Sequence, residues 1–111
     1  MAYDEDLANR VRAQLGAEER VTEKEMFGGI AFLLGGHMAV GVSGRGGLMV
    51  RVGPDATDEA LALPHARPMD MTGRPMKGWV VVAEDGVQDD ADLAAWVERG
   101  ARFARSLPPK E

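Results

Sequence analysis

Residues 26–52, MFGGIAFLLGGHMAVGVSGRGGLMVRV, decide how this chain folds. Ile30, Phe32 and Leu34 alternate with Gly29, Ala31 and Leu33, the period-two pattern of a strand. Gly35-Gly36 then supplies the two positive-φ residues that a tight hairpin turn requires. The chain returns from His37, with Met38, Val40 and Val42 expected on one face and His37, Ala39, Gly41 and Ser43 on the other. Residues 43–47, SGRGG, read as a second, looser hairpin loop, after which Leu48, Val50 and Val52 turn inward and Arg51 outward. Three short antiparallel strands joined by glycine turns make a meander.

Upstream, Leu7, Val11 and Leu15 recur at helical spacing with Tyr3 and Ala8 beside them, while Glu5, Arg10 and Arg12 fall on the opposite side. The spacing predicts an amphipathic helix over residues 4–15. Asp4 is its expected cap and Gly16 its expected left-handed stop. Residues 17–25, AEERVTEKE, read as a polar connector with at most a helical turn.

Downstream, Gly53-Pro54 ends the meander, and Asp55 or Thr57 caps a short helix, TDEALAL, that Pro64 terminates. The stretch PHARPMDMTGRPMKG, residues 64–78, repeats Arg-Pro-Met, and its prolines confine it to an edge strand and a loop. Residues 79–83, WVVVA, are apolar on both faces and predict an interior strand. After a turn, Asp89 or Asp90 caps a final helix carrying Leu93, Trp96, Val97, Gly100, Ala104 and Leu107 on one stripe. Gly100 on that stripe permits close approach to the sheet, Arg99, Arg102 and Arg105 gather toward the helix C-terminus, and Pro108-Pro109 stops it. The fold class is therefore α+β: a two-layer α/β sandwich in the order α-β-β-β-α-β-β-α, with helices on one face of a five-stranded antiparallel sheet. With 111 residues, the chain is expected to form a single domain spanning residues 1–111.

Charge is unevenly spread within a formal net of −5. Acids outnumber bases before residue 26 and after residue 83, whereas bases hold a slight majority between. An acidic whole disfavours sequence-independent binding to nucleic acid, which draws on clustered Lys and Arg. The chain has no cysteine, so disulfides and thiolate metal sites do not enter and a reducing, cytoplasmic setting is expected. No apolar run approaches the roughly 20 residues needed to cross a bilayer, and the acidic opening MAYDEDLANR does not suit a signal peptide. No membrane association is expected.

Few residues invite chemistry. SGRGG lies between two strands, where a phosphate loop would need a strand on one side and a helix on the other. His37 and His65, the 2 histidines, lack the spacing of a metal site. No hydroxyl sits in a nucleophile elbow, and most acids stand at helix starts, where capping explains them. The reading is no catalytic residue, no metal and no cofactor, hence no enzyme. The one local excess of positive charge is His65, Arg67, Arg74 and Lys77, with only Asp70 among them. These four are the candidate binding residues for a phosphate or an acidic surface, set against a solvated loop that balances acidic termini. Alternation also leaves Leu33, Ala39 and Met49, with some of Met69, Met71, Val80 and Val82, on the sheet face opposite Phe32, Val40 and Val50. Three helices of this length cover one face, so methionine-rich apolar surface is left over, suited to a protein partner or to a second copy in a homodimer.

Met26-Phe27-Gly28-Gly29, followed by Phe32, a turn, Met38 and the strand Leu48-Met49-Val50-Arg51-Val52, resembles the TfoX N-terminal domain, the first half of the competence regulator also called Sxy. The resemblance continues through the proline-containing segment and Trp79 to the last helix. It implies helices on one side of a five-stranded antiparallel sheet, no catalytic residues, and a regulatory role of the kind known for bacterial proteins that promote DNA-uptake genes beside a cyclic-AMP receptor-type transcription factor. The chain is expected to be a single-domain member lacking the helical second half of those regulators. The functional expectation is a small, non-catalytic, cytoplasmic regulatory or protein-interaction module whose partner is a protein such as a transcription factor, or itself. The alternative is binding of nucleic acid or a phosphorylated ligand through Arg67, Arg74 and Lys77.

Overall fold

The computed structural model describes residues 3–16, 18, 20–26, 28–70 and 75–108. The chain runs α1 (Glu5–Gln14), β1 (Val21–Met26), β2 (Gly29–Leu34), β3 (His37–Val42), β4 (Leu48–Arg51), α2 (Thr57–Leu61), β5 (Ala66–Asp70), β6 (Pro75–Val82) and α3 (Asp90–Arg105), with 3-10 turns at Pro54–Ala56 and Glu84–Val87. Its strands form one antiparallel sheet in the order β1-β2-β3-β4-β6-β5. The expected meander is β2-β3-β4, turned by Gly35 and Gly36 with φ of 58° and 86°. As expected, the WVVVA run lies in an interior strand and the first half of the proline-containing segment, β5, is an edge strand, but the end of that segment, residues 75–78, belongs to the interior strand β6 where an edge strand and loop were expected.

The sheet has six strands where five were expected. The additional strand is β1, VTEKEM, inside the stretch read as a connector, and it pairs with β2 from Val21↔Leu34 to Met26↔Gly29. An edge strand whose Thr22, Glu23, Lys24 and Glu25 are all exposed carries no apolar alternation, so the pattern that reveals half-buried strands is missing. Glu23 nevertheless fixes β1 to α1: its carboxylate accepts two hydrogen bonds from the Arg12 guanidinium, at 2.7 and 2.8 Å.

The helices pack on one side of the sheet. Leu7, Ala8 and Val11 of α1, Ala60 of α2, and Leu93, Trp96, Val97, Ala101 and Ala104 of α3 join one buried cluster with Ile30, Phe32, Leu34, Val40, Val42, Leu48, Val50, Val80 and Val82. Gly100 lets α3 approach the sheet closely, since a Cβ there would lie 2.3 Å from the Ala39 carbonyl oxygen. Thr57 is the one buried polar side chain among the described residues; its hydroxyl donates to the Gly53 carbonyl and accepts from the Gly78 amide, both at 2.8 Å. That bridge joins the start of α2 to β6 and leaves no buried polar atom unsatisfied there.

Two further expectations are corrected. A register shift between Phe32 and Leu33 pairs Phe32 with Val40 but Leu33 with Met38, so Ala39 is the extra residue of a bulge. Met38 therefore shares a face with Leu33 rather than with Val40, and Ala39 enters the buried cluster. Bulges are invisible to a strict period-two reading because one inserted residue inverts every facing beyond it. Of Met69, Met71, Val80 and Val82, some of which were expected on the open face, Val80 and Val82 belong to the covered one, with Val81 on the other. Asp4 caps α1 by accepting from the Leu7 amide at 3.1 Å, but Gly16 is not left-handed; Leu15 closes the helix through bonds to preceding carbonyls.

Candidate functional site

The candidate binding residues do not all fall within one described surface. His65 is exposed and has a φ of 69°, and its carbonyl accepts from the Ala83 amide at 2.9 Å, so its backbone links the start of β5 to the end of β6. Arg67 on edge strand β5 and Lys77 on β6 are exposed. Arg74 lies outside the described residues, as does Met71, and no side-chain contact of Asp70 is described. His37, the other histidine, holds Nε2 at 2.6 Å from the Pro108 carbonyl, which tethers the turn of the meander to the end of α3. No helix among the described residues is long and apolar enough to cross a membrane.

The sheet face away from the helices has a more regular construction. Strand register aligns one residue from each strand into a single row: Lys24 opposite Ala31, Ala31 opposite Gly41, Gly41 opposite Met49, Met49 opposite Val81, and Val81 opposite Arg67. Its apolar centre is thus bounded by a cation on each edge strand. Gly41 leaves a low point that Met49 fills, because a Cβ on Gly41 would meet the Met49 methyl at 2.8 Å. Beside this row, Leu33 pairs with Met38 and Arg51 with Trp79. Leu33, Met38, Met49 and Trp79 are partly exposed. Ala31, Met69 and Val81 are buried yet stand outside the cluster that the helices join.

Electrostatics separate the two sides of the sheet. On the helix side Glu23 is paired with Arg12, and these hydrogen bonds hold its carboxyl below the ordinary carboxylate range. Arg105 joins Glu18 to Glu98, Arg10 meets Asp90 at 3.0 Å, and Arg99 meets Glu59 at 3.4 Å. Among the described residues neither Lys24 nor Arg67 takes part in an ion pair. Arg51 is held differently: its guanidinium lies 6.0 Å from the Trp79 ring centre and 5.2 Å from that of Phe103, the range of cation–π attraction. Residue patterning finds Arg67, Met49 and Leu33, but it misses Lys24 because β1 reads as a connector. The signal that finds it is the alternation of Glu23 and Glu25 with Lys24, which places charges of opposite sign on opposite faces of an edge strand.

No three His, Asp or Glu side chains among the described residues are grouped to hold a metal. The surface offers apolar contact at its centre and positive charge at its two edges. No curated protein matches the chain significantly. A family profile for the TfoX N-terminal domain matches residues 13–104, a span running from the end of α1 through the whole sheet to the last turn of α3. The chain belongs to the TfoX N-terminal domain family.

Proposed function

We propose that this protein is a small, non-catalytic regulatory module that acts in the cytoplasm by presenting the open face of its sheet to a protein partner. The observation that carries the reading is the partly exposed set Leu33, Met38, Met49 and Trp79 on a face that receives none of the buried helical side chains. Methionine side chains adapt their shape to a partner at little cost, and contiguous apolar surface is a mark of contact sites. Family membership supports a regulatory setting, and a transcription factor is the partner class that the family resemblance favours.

The test is affinity capture from native extract with the wild-type chain, Met49→Asp and Asp92→Lys, each first shown to melt cooperatively. Loss of the captured partner with Met49→Asp and its retention with Asp92→Lys, on α3, is the expected outcome. Equal capture by all three chains would count against the open face.

A second reading has Arg67 and Lys77, both exposed, binding a phosphorylated ligand or nucleic acid together with Arg74. It predicts binding that weakens steeply with salt. A titration with single-stranded DNA that shows no binding at low salt removes it.

A further inference from the structure

We propose that the open face recognises an amphipathic helix of a partner protein whose apolar stripe is bounded by carboxylates at both ends; this deepens the interaction-module reading and rests on it. The row Lys24, Ala31, Gly41, Met49, Val81, Arg67 crosses all strands of the sheet. Five interstrand steps of about 4.8 Å separate the two cations by about 24 Å. The row ends in a cation on each edge strand, Lys24 and Arg67, in a chain of net charge −5. Lys24 and Arg67 have no ionic partner among the described residues, so a partner's carboxylates meet them without displacing an internal pair.

Backbone chemistry selects a helix. A segment laid on the face of a sheet finds the sheet's amides and carbonyls already paired, so it must satisfy its own. An extended peptide has no such means, whereas a helix does, and at 1.5 Å per residue about 16 residues span the row. Gly41 and Ala31 form the shallow centre into which large side chains of that helix settle once Met49 moves aside, a displacement that its flexible stem allows.

A second copy fits less well. Pairing β1 with itself about a two-fold axis normal to the sheet, centred on Glu23 or Lys24, sets Glu23 against Glu23 or Lys24 against Lys24, and like charges directly opposite destabilise a strand pair. Face-to-face stacking brings together two surfaces of the same sign. Nucleic acid fits less well too, because the chain carries a net charge of −5 and the row sets its two cations at opposite edges instead of clustering them.

The experiment titrates the 15N-labelled protein with helical peptides of about 18 residues, long enough for the row. One carries a leucine stripe with glutamates at both ends, a second has lysines in place of the glutamates, and a third scrambles the first. A thymidine oligonucleotide of similar length is the nucleic-acid probe. The glutamate peptide is expected to shift amides of Leu33, Met38, Met49 and Val81, with the lysine and scrambled peptides binding at least about tenfold more weakly. Lys24→Glu with Arg67→Glu should reverse that preference, and Lys24→Gln with Arg67→Gln should abolish it with the melting temperature preserved. Equal binding of the glutamate and lysine peptides, shifts on α3 instead of the open face, or oligonucleotide shifts on the same residues would each overturn the inference, as would self-association through this face. Capture experiments separate it from the reading beneath it. Native partner binding that depends on Met49 but ignores both charge variants would retain the interaction face and reject the acid-bounded helix.

Discussion

Two rows of side chains cross the same sheet one residue apart, and they are built for different work. On the covered side register aligns Glu23, Phe32, Val40, Val50, Val80 and Pro68; on the open side it aligns Lys24, Ala31, Gly41, Met49, Val81 and Arg67. The first row has a fully buried Phe and β-branched side chains at its centre, and its terminal acid is neutralised internally by Arg12. The second replaces those bulky groups with Ala, Gly and a flexible Met, and ends in two cations. Burial of apolar area against the helices makes the covered row the seat of stability. The open row, which stands outside the buried cluster, is the surface proposed above to meet a partner.

Substitutions that treat the rows alike should expose that difference. Phe32→Ala, on a ring with no exposed area, is expected to cost about 3–5 kcal/mol by denaturant unfolding, while Met49→Ala costs under about 1 kcal/mol because its site is partly open and can collapse. Comparable losses would break the distinction. The glycines give a finer comparison. Gly100→Ala drives a Cβ toward the Ala39 carbonyl at 2.3 Å and should destabilise by about 1–3 kcal/mol. Gly41→Ala meets the end of the movable Met49 side chain first, with the Ile30 carbonyl at 3.1 Å, so thermal melting should show a smaller loss.

Thr57→Val keeps the shape but removes the hydroxyl between Gly53 and Gly78. Leaving those two backbone groups unpaired is expected to cost about 1–2 kcal/mol, measurable as a lower denaturation midpoint with an unchanged denaturant slope. The smallest effect belongs to the ion pair that anchors β1. Arg12 and Glu23 are 38% and 37% exposed, so their coupling in a double-mutant cycle should lie below about 1 kcal/mol. Because hydrogen bonds from Arg12 lower the Glu23 pKa from 4.5, this contribution is present in full above that pH and fades as pH falls through the lower folded value. Glu23→Gln should flatten the acid limb of the stability profile and leave its shape near neutrality unchanged.

Much of this architecture was legible where residues carry a period. The meander followed from Gly35-Gly36 and the alternation around Phe32, and α3 from the spacing of Leu93, Trp96, Val97 and Gly100. The close approach at Gly100 was legible too, since a glycine on an apolar stripe makes room for a neighbouring backbone. β1 was hidden because solvent reaches its exposed Thr22, Glu23, Lys24 and Glu25, which removes the hydrophobic signal that marks a half-buried strand. The Ala39 bulge was hidden because one inserted residue leaves the apolar run from Met38 to Val42 unbroken while inverting the facing beyond it. Of the candidate surface, Leu33, Met49 and Arg67 could be named from sequence. The row that unites them with Lys24 could not, since it exists only once the register of six strands is known.

Methyl NMR of the protein in complex with its captured native partner tests the central claim most directly. Signals of Met38 and Met49 should shift and broaden on binding, while those of Val40, Val50 and Val80 on the covered side stay in place. Unchanged Met38 and Met49 signals, with the perturbation confined to α1 or α3, would contradict the assignment of the open face as the working surface.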